Sequence, residues 1–335
     1  MLDAAKLAHA MRLAALAARQ WLGATYPNPP VGAAALDAEG NVLAVAAHRK
    51  AGTPHAEAAL LELCRAQNLM ARIHTLAVTL EPCNHQGRTP PCSAAIIAAG
   101  IKHVAIGALD PNPHVKGGGV EALRLAGIEI VSGVERELCE QLIYAFAHSV
   151  GTGRPWVTLK VALNEDGTML PPHGEKTFTS PDSLRFAHRL RKRADAILTG
   201  SGTILADDPH FTVRHVADYP DRPRILAIMD RRRRVPQTWL DAAAARGLTP
   251  LVFGDLSAAM AELARREIRE VLVESGPALS QAVRDSGLWC METTIQQGAP
   301  DRITTLYNSL AALPFAPQSW PWENMLPNED GTPCS

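Results

Sequence analysis

The sequence predicts two α/β domains in tandem, a three-layer α/β/α sandwich followed by a second, doubly wound α/β domain. Three observations predict it. The 335 residues are enough for two cores of ordinary size. Short apolar runs of strand type alternate with helical stretches along the chain, the pattern of a largely parallel sheet covered by helices. Near the middle, Gly151-Thr152-Gly153-Arg154-Pro155 interrupts the alternation and reads as a hinge. The boundaries we expect are 1–148 and 154–312, with 313–335 as an irregular tail.

Composition excludes several function classes. Hydrophobic content of 47% with 20% charged residues describes a soluble globular protein. Lys+Arg 33 against Asp+Glu 34 leaves no net field to attract nucleic acid or an anionic membrane. With 5% aromatics, this argues against a nucleic-acid deaminase or a zinc-bearing RNA-binding module. The 6 cysteines lack a disulfide-scaffold spacing, which fits a reducing compartment and a cytoplasmic location. No apolar run is long enough to span a bilayer. Met1 to Leu22 is Ala-rich with Asp3, Lys6, Arg12 and Arg19 spread through it, so it reads as an amphipathic helix rather than a signal peptide.

In the first domain, that helix gives way near Gly23 to Thr25-Tyr26-Pro27-Asn28-Pro29-Pro30. The prolines hold Asn28 in extended backbone, and its amide suits the edge of a heterocycle. Ala33–Leu36 and Asn41–Ala47 read as a hairpin, and His48 follows. A helix opens at His55, a buried strand runs from Thr75 to Leu80, and Pro91-Cys92 opens a further helix. Strand 104–107, helix 120–126, strand 128–131 and one helix over 135–147 complete the domain.

The chemistry concentrates between His55 and Cys92. One imidazole and two thiols, His55, Cys83 and Cys92, are a sufficient protein ligand set for a tetrahedral zinc with an open fourth position. Zinc lowers the pKa of a bound water toward neutrality, and Glu57 is placed to shuttle protons without binding metal. Two helix N-termini converge there and favour negative charge. A closed structural zinc completed by His85, His74 or Cys64 is the alternative. His-x-Glu followed by Pro-Cys and a second Cys is the signature of zinc deaminases acting on amino-heterocycles. Its usual form has two residues between the cysteines, whereas here Asn84 to Pro91 intervene. That loop carries His85 and Arg88, and an arginine suits a phosphate or carboxylate. Asp110-Pro111-Asn112-Pro113 leads to Lys116 and three glycines, which read as backbone donors for an anion.

The set TYPNPPVG, His48, PHAE, TLEPCNHQGRTPPC and DPNPHVKGGG closely resembles the deaminase half of the bifunctional riboflavin-biosynthesis deaminase/reductase family, over about residues 1 to 148. The resemblance implies a cytidine-deaminase-like fold and a diaminopyrimidinone substrate carrying a ribosyl 5-phosphate. It puts zinc on His55, Cys83 and Cys92, makes Glu57 the proton shuttle, and lines the substrate pocket with Asn28, His48, His85, Arg88, Asp110 and Asn112. Asn84 stands where the family leads one to expect serine.

In the second domain, strand 156–163 ends in the turn Asn164-Glu165-Asp166-Gly167, helix 181–193 follows, and strands lie at 196–199, 224–229, 251–253 and 271–273. A ligand is expected beyond the strand C-terminal ends. Gly200-x-Gly202 reads as a turn, and no G-x-G-x-x-G is present. LKVALNEDG, LRKRADAILTGSGTILADDPHFTVR and VESGPAL are similar to the family's NADPH-dependent reductase, whose fold is dihydrofolate-reductase-like. The resemblance implies that Lys160, Arg191, Asp207, Arg214 and Glu274 meet substrate. It implies that Thr203 and Gly276, Pro277, Ala278 and Leu279 meet NADPH, and it makes Asp207 with Lys160 a proton-handling pair. Its partners are then one small molecule and further copies of itself, as a homodimer or higher homo-oligomer.

Four stretches depart from the family pattern. Glu175-Lys176-Thr177-Phe178-Thr179 stands in place of Ser-x-Trp before Ile-Thr, and Arg231 to Arg234 in place of a serine-led turn. Trp289 to Pro300 does not match the family's closing strand, and Leu313 to Ser335 has no periodicity. Two readings therefore stand, a deaminase/reductase and a deaminase whose second domain is structural or dimerising.

Overall fold

The computed structural model describes residues 2–85, 90–112, 118–171 and 177–309. The first domain is built on a five-stranded sheet of order β2-β1-β3-β4-β5. Its strands are β1 (Gly32–Leu36), β2 (Val42–Ala47), β3 (Thr75–Leu80), β4 (His103–Ala108) and β5 (Glu129–Ser132). β1 and β2 form an antiparallel hairpin, β1 also pairs antiparallel with β3, and β3, β4 and β5 run parallel.

Alternation along the strands sends side chains to two cores. Ala34, Leu36, Ala77 and Ala105 face α1 (Ala4–Arg19) and α5 (Arg136–Leu142). Ala33, Ala35, Leu76, Val78, Val104 and Ile106 face α2 (Ala56–Ala66), α3 (Cys92–Ala98) and α4 (Gly118–Leu125). The strands toward α1 are Ala-rich because that helix lies very close. A Cβ at Gly32 would come within 1.9 Å of the Ala14 carbonyl oxygen. Asp3 caps α1 by accepting from the Lys6 amide, the expected behaviour of a short carboxylate at a helix start.

The stretch expected as one helix over 135–147 is two, α5 and α6 (Tyr144–Thr152), broken at Ile143, whose backbone leaves helical geometry. The break lets Leu142 and Ile143 pack under the first sheet while Tyr144 packs with Trp156 of the second domain. The expected hinge is partly helical, since α6 runs through Gly151 and ends on Gly153 in the left-handed conformation that glycine tolerates.

The second sheet has seven strands in the order β12-β11-β6-β10-β7-β8-β9. They are β6 (Trp156–Leu163), β7 (Ala196–Gly200), β8 (Arg224–Met229), β9 (Leu248–Phe253), β10 (Glu270–Glu274), β11 (Met291–Gln296) and β12 (Arg302–Tyr307). All pairings are parallel except β11 with β12. Helices α7 (Pro181–Arg193), α8 (Ser201–Asp207), α9 (Gln237–Ala245), α10 (Leu256–Arg265) and α11 (Pro277–Asp285) connect them. β10 enters between β6 and β7, where a doubly wound sheet opens a crevice at its strand C-terminal ends.

Two expectations for this domain change. Gly200-x-Gly202 opens helix α8 rather than a simple turn. Despite the departure from the family pattern, 291–296 and 302–307 do form closing strands, because Thr293 and Ile295 alternate inward while Glu292 and Thr294 turn out. The 313–335 tail lies outside the described residues.

Candidate active sites

The first site lies where three element ends of the first domain meet. His55 is the N-cap of α2 and Cys92 begins α3, while Cys83 follows the end of β3. Their donor atoms lie within 4.8 Å of one another. Tetrahedral bonds of about 2.3 Å to sulfur and about 2.0 Å to nitrogen set an S···N edge of about 3.5 Å. The distances from His55 Nδ1, 3.4 Å to Cys92 Sγ and 3.7 Å to Cys83 Sγ, bracket that edge. The residues present therefore fit a zinc ion. Among the described residues no other group of three such side chains converges in this way.

Local electrostatics suit a cation. Cys83 is pushed down to about 4 by its hydrogen bond with Cys92, against the cost of burial and with help from His55. Cys92 is pushed up by Cys83 and by burial. The Cys92 amide donates to Cys83 Sγ at 3.4 Å, as a helix N-terminus does to a thiolate. Glu57, in the first turn of α2, is buried at 3% exposure and lies against Cys92; burial pushes its carboxyl up.

Asn28 and His48 come together beside this triangle. Asn28 Nδ2 donates to His48 Nε2 at 3.3 Å, and His48 Nδ1 faces the Pro54 carbonyl at 3.1 Å. Burial lowers the pKa of His48, which fits a neutral ring with its proton on Nδ1. The His48 and His55 rings meet edge to face at 5.2 Å. Asp110 is buried, accepts from the Asn112 amide at 2.8 Å and is pushed up by burial, with His85 acting in the opposite sense. His85 is exposed. Arg88 and Lys116 lie outside the described residues.

Glu81 is a member of this site that motif reading missed. Its buried carboxylate accepts from the amides of Asp110, Gly119 and Val120 at 3.1 to 3.2 Å. It thereby ties the 110–112 loop and the start of α4 to the strand end before Cys83. The last amide of the glycine stretch and the one after it thus serve an internal carboxylate rather than an external anion. Gly119 is required there, since a Cβ would lie 1.9 Å from the Pro82 carbonyl oxygen. The available signal was a carboxylate closing an otherwise apolar strand.

The second site lies at the C-terminal ends of β6, β7 and β10. Lys160 and Glu274 are register partners on adjacent parallel strands. Arg191 of α7 grips Glu274 with both forks, Nε at 2.9 and 3.0 Å and Nη2 at 2.6 Å. Burial opposes ionisation of Glu274, yet Arg191 and Lys160 outweigh it and hold the carboxyl at about 2. Burial lowers Lys160, and the charges acting on it are Glu274 and Arg191. Asp207 is not among them. It is exposed at the end of α8, and the carboxylate beside Lys160 in the sheet is Glu274.

His188, also overlooked, is buried one turn before Arg191 and pushed down to about 3 by burial and by Arg191. Its Nδ1 accepts from the Arg214 amide at 2.8 Å, which fixes the loop carrying Arg214. Thr203 Oγ1 accepts from the Gly276 amide at 2.9 Å, joining the first turn of α8 to the loop after β10. Pro277 and Ala278 are exposed and Leu279 half-buried at the opening of α11. These residues fit a dinucleotide, since they line the strand-end crevice where such cofactors lie in doubly wound sheets.

Fold and sites define a zinc-type deaminase domain joined to a doubly wound reductase-type domain. Residues 5–108 match the cytidine and deoxycytidylate deaminase zinc-binding region, and residues 155–289 match the RibD C-terminal domain. The chain is 45% identical to riboflavin biosynthesis protein RibD of Aquifex aeolicus, over 68% of this chain and 62% of that protein. It is 35% identical to the Escherichia coli RibD over 87% of this chain and 86% of that one. The solved Acinetobacter baumannii RibD superposes with a TM-score of 0.76 at 31% identity, covering 94% and 92% of the two chains. A Thermotoga maritima diaminohydroxyphosphoribosylaminopyrimidine deaminase/5-amino-6-(5-phosphoribosylamino)uracil reductase gives 0.77 at 32% identity, covering 88% and 87%. The chain belongs to the RibD family of riboflavin biosynthesis proteins.

Proposed function

We propose that the chain carries out two successive steps of riboflavin biosynthesis. The first is hydrolytic deamination of 2,5-diamino-6-(5-phosphoribosylamino)pyrimidin-4-one, and the second is NADPH-dependent reduction of the ribosyl group to ribityl. The zinc-sized triangle of His55, Cys83 and Cys92 with buried Glu57 against it carries this reading.

Zinc, when bound, supplies a water acidic enough to attack a ring carbon near neutral pH. Glu57 takes the proton of that water and returns it to the departing amino nitrogen, so water is consumed and ammonia leaves. Asn28 offers its amide to the heterocycle edge, oriented by its hydrogen bond to His48. Asp110, Asn112 and His85 line the side that Glu81 fixes, and Arg88 takes the phosphate.

NADPH, when bound, supplies the hydride of the second step. Lys160 handles the proton there, with Glu274 and Arg191 setting its charge. Arg191 and Arg214 hold the anionic substrate, and Asp207 meets it at the rim of the site. Thr203 and Gly276 to Leu279 position the cofactor. The intact Lys160–Glu274–Arg191 cluster and the closing strands favour an active reductase over a silent domain. The chain works in the cytoplasm as a homo-oligomer, which sedimentation tests.

The test follows ammonia and NADPH absorbance separately, on purified protein with the phosphoribosylated diaminopyrimidinone. Both signals are expected. Ammonia without NADPH loss would leave a deaminase with a silent second domain, and neither signal would sink the substrate assignment.

A further inference from the structure

The chain leading to Asn28 is tied to the other domain at several points between Gln20 and Pro27. At its start, Tyr219 Oη donates to the carbonyls of Gln20 and Leu22 at 2.7 and 3.0 Å. At Gly23 (φ +83°) the two backbones touch, and a Cβ would lie 2.2 Å from the Arg193 carbonyl oxygen. Tyr26 Oη donates to the Arg266 carbonyl at 2.5 Å, and Arg269 Nε donates to the Pro27 carbonyl at 3.2 Å. The next residue is Asn28.

Arg269 is itself well fixed. Its Nη1 donates to Ser149 Oγ at 2.8 Å, its guanidinium lies 5.5 Å from the Phe146 ring centre, and Glu267 stands 3.6 Å from Nη2. Its backbone amide donates to buried Asp195 at 3.1 Å, and Asp195 pairs with Arg222 at 2.7 Å. Thus one guanidinium joins the Asn28 loop, the connecting helix α6 and the start of β10. Within the loop, Thr25 and Asn28 exchange hydrogen bonds, with Thr25 Oγ1 donating to the Asn28 carbonyl and the Asn28 amide donating to the Thr25 carbonyl, both at 2.9 Å. That turn sets the loop's internal shape but not where it sits against His48. The loop's place against His48 is set from both ends: the His48 backbone amide donates to the Val31 carbonyl at 2.9 Å beyond the loop, and the cross-domain bonds hold Pro27 and the stretch before it.

We propose that Arg269 is a positioning residue for the deaminase site, acting through the Pro27 carbonyl on Asn28, so that the second domain forms part of the first domain's substrate pocket. The inference rests on the deaminase reading above and extends it. It also separates cleanly from the reductase site. Arg269 precedes β10 and Glu274 ends it, about 16 Å apart along the strand.

The test compares wild type, Arg269→Ala, Asn28→Ala and the double variant in the full chain, with zinc content, ammonia release and NADPH oxidation on pre-deaminated substrate measured for each. Arg269→Ala should keep zinc and reductase rate while raising KM for ammonia release about ten-fold, with kcat little changed. In the Asn28→Ala background the same change should add almost nothing, because the two act as one unit. Arg269→Lys should recover part of the loss by restoring one donor. Tyr26→Phe removes the neighbouring tie without disturbing the charged cluster, and should raise KM by a few-fold even if Arg269→Ala folds poorly. An unchanged KM in Arg269→Ala and Tyr26→Phe, or a full additive effect of Arg269→Ala on Asn28→Ala, would overturn the proposal. A wild type that oxidises NADPH but releases no ammonia would overturn the deaminase reading itself.

Discussion

The metal triangle of the first domain is gathered from the ends of two helices and a strand, while the charged cluster of the second is gathered across two adjacent strands and an overlying helix. In the first, backbone geometry sets the donors: the α3 amide points at Cys83 and three amides converge on Glu81. In the second, side chains set one another, with Lys160, Glu274 and Arg191 each in place because the others balance its charge. The first arrangement tolerates little change of ligand type but is insulated from remote charge. The second depends on the balance of charge and should feel pH and single-charge deletions directly.

The largest effect that sharpens this contrast is expected for Cys92→Ser. It should lower zinc well below one ion per chain and abolish ammonia release, read by elemental analysis, because a hydroxyl is a poor substitute for a thiolate. Zinc retained at full stoichiometry would break the ligand assignment. Glu57→Gln should keep zinc yet slow ammonia release by about 10²–10⁴, the usual worth of a general acid-base group. Normal turnover would remove Glu57 from the mechanism.

Glu274→Gln should cost about 3–5 kcal/mol in denaturant titrations, because it leaves Arg191 and Lys160 facing each other uncompensated. Its pH dependence has a definite sign. The folded carboxyl titrates at about 2 against an ordinary 4.5, so its stabilisation is complete above pH 4.5 and fades as pH falls toward 2. Wild type and variant midpoints should therefore converge in acid; a constant gap from pH 7 to pH 3 would contradict the charge-balance picture. The smallest effect is expected for Glu81→Gln, about 1–3 kcal/mol with a modest rise in KM for deamination, since an amide oxygen accepts only part of what the carboxylate accepts. Unchanged stability would show that the 110–112 loop is held by other contacts.

Much of the first site was legible because its chemistry is local in sequence. His55-Ala56-Glu57 sits on one helix start, and Pro82-Cys83 and Pro91-Cys92 mark a strand end and a helix start that proline announces. Glu81 was not legible, since its partners, the amides of Asp110, Gly119 and Val120, lie far along the chain and backbone donors carry no residue signature. In the second domain the strands at 156–163 and 224–229 were readable from apolar runs. The closing strands β11 and β12 were obscured because Glu292, Thr294 and Arg302 face outward and dilute the apolar pattern. Glu274 was not legible as a neighbour of Lys160, because sheet register, which no local motif announces, places the two side by side.

By itself the sequence determined the two α/β domains, the convergence of His55, Cys83 and Cys92 with Glu57 beside them, and most strands, since each rests on periodicity, capping or short-range spacing. Only the tertiary structure decided which carboxylate partners Lys160, which amides Glu81 gathers, where α5 breaks from α6, and that Arg269 of the second domain reaches Pro27 of the first. Those contacts join residues far apart in the chain through register and packing, and no local pattern encodes a distance of that kind.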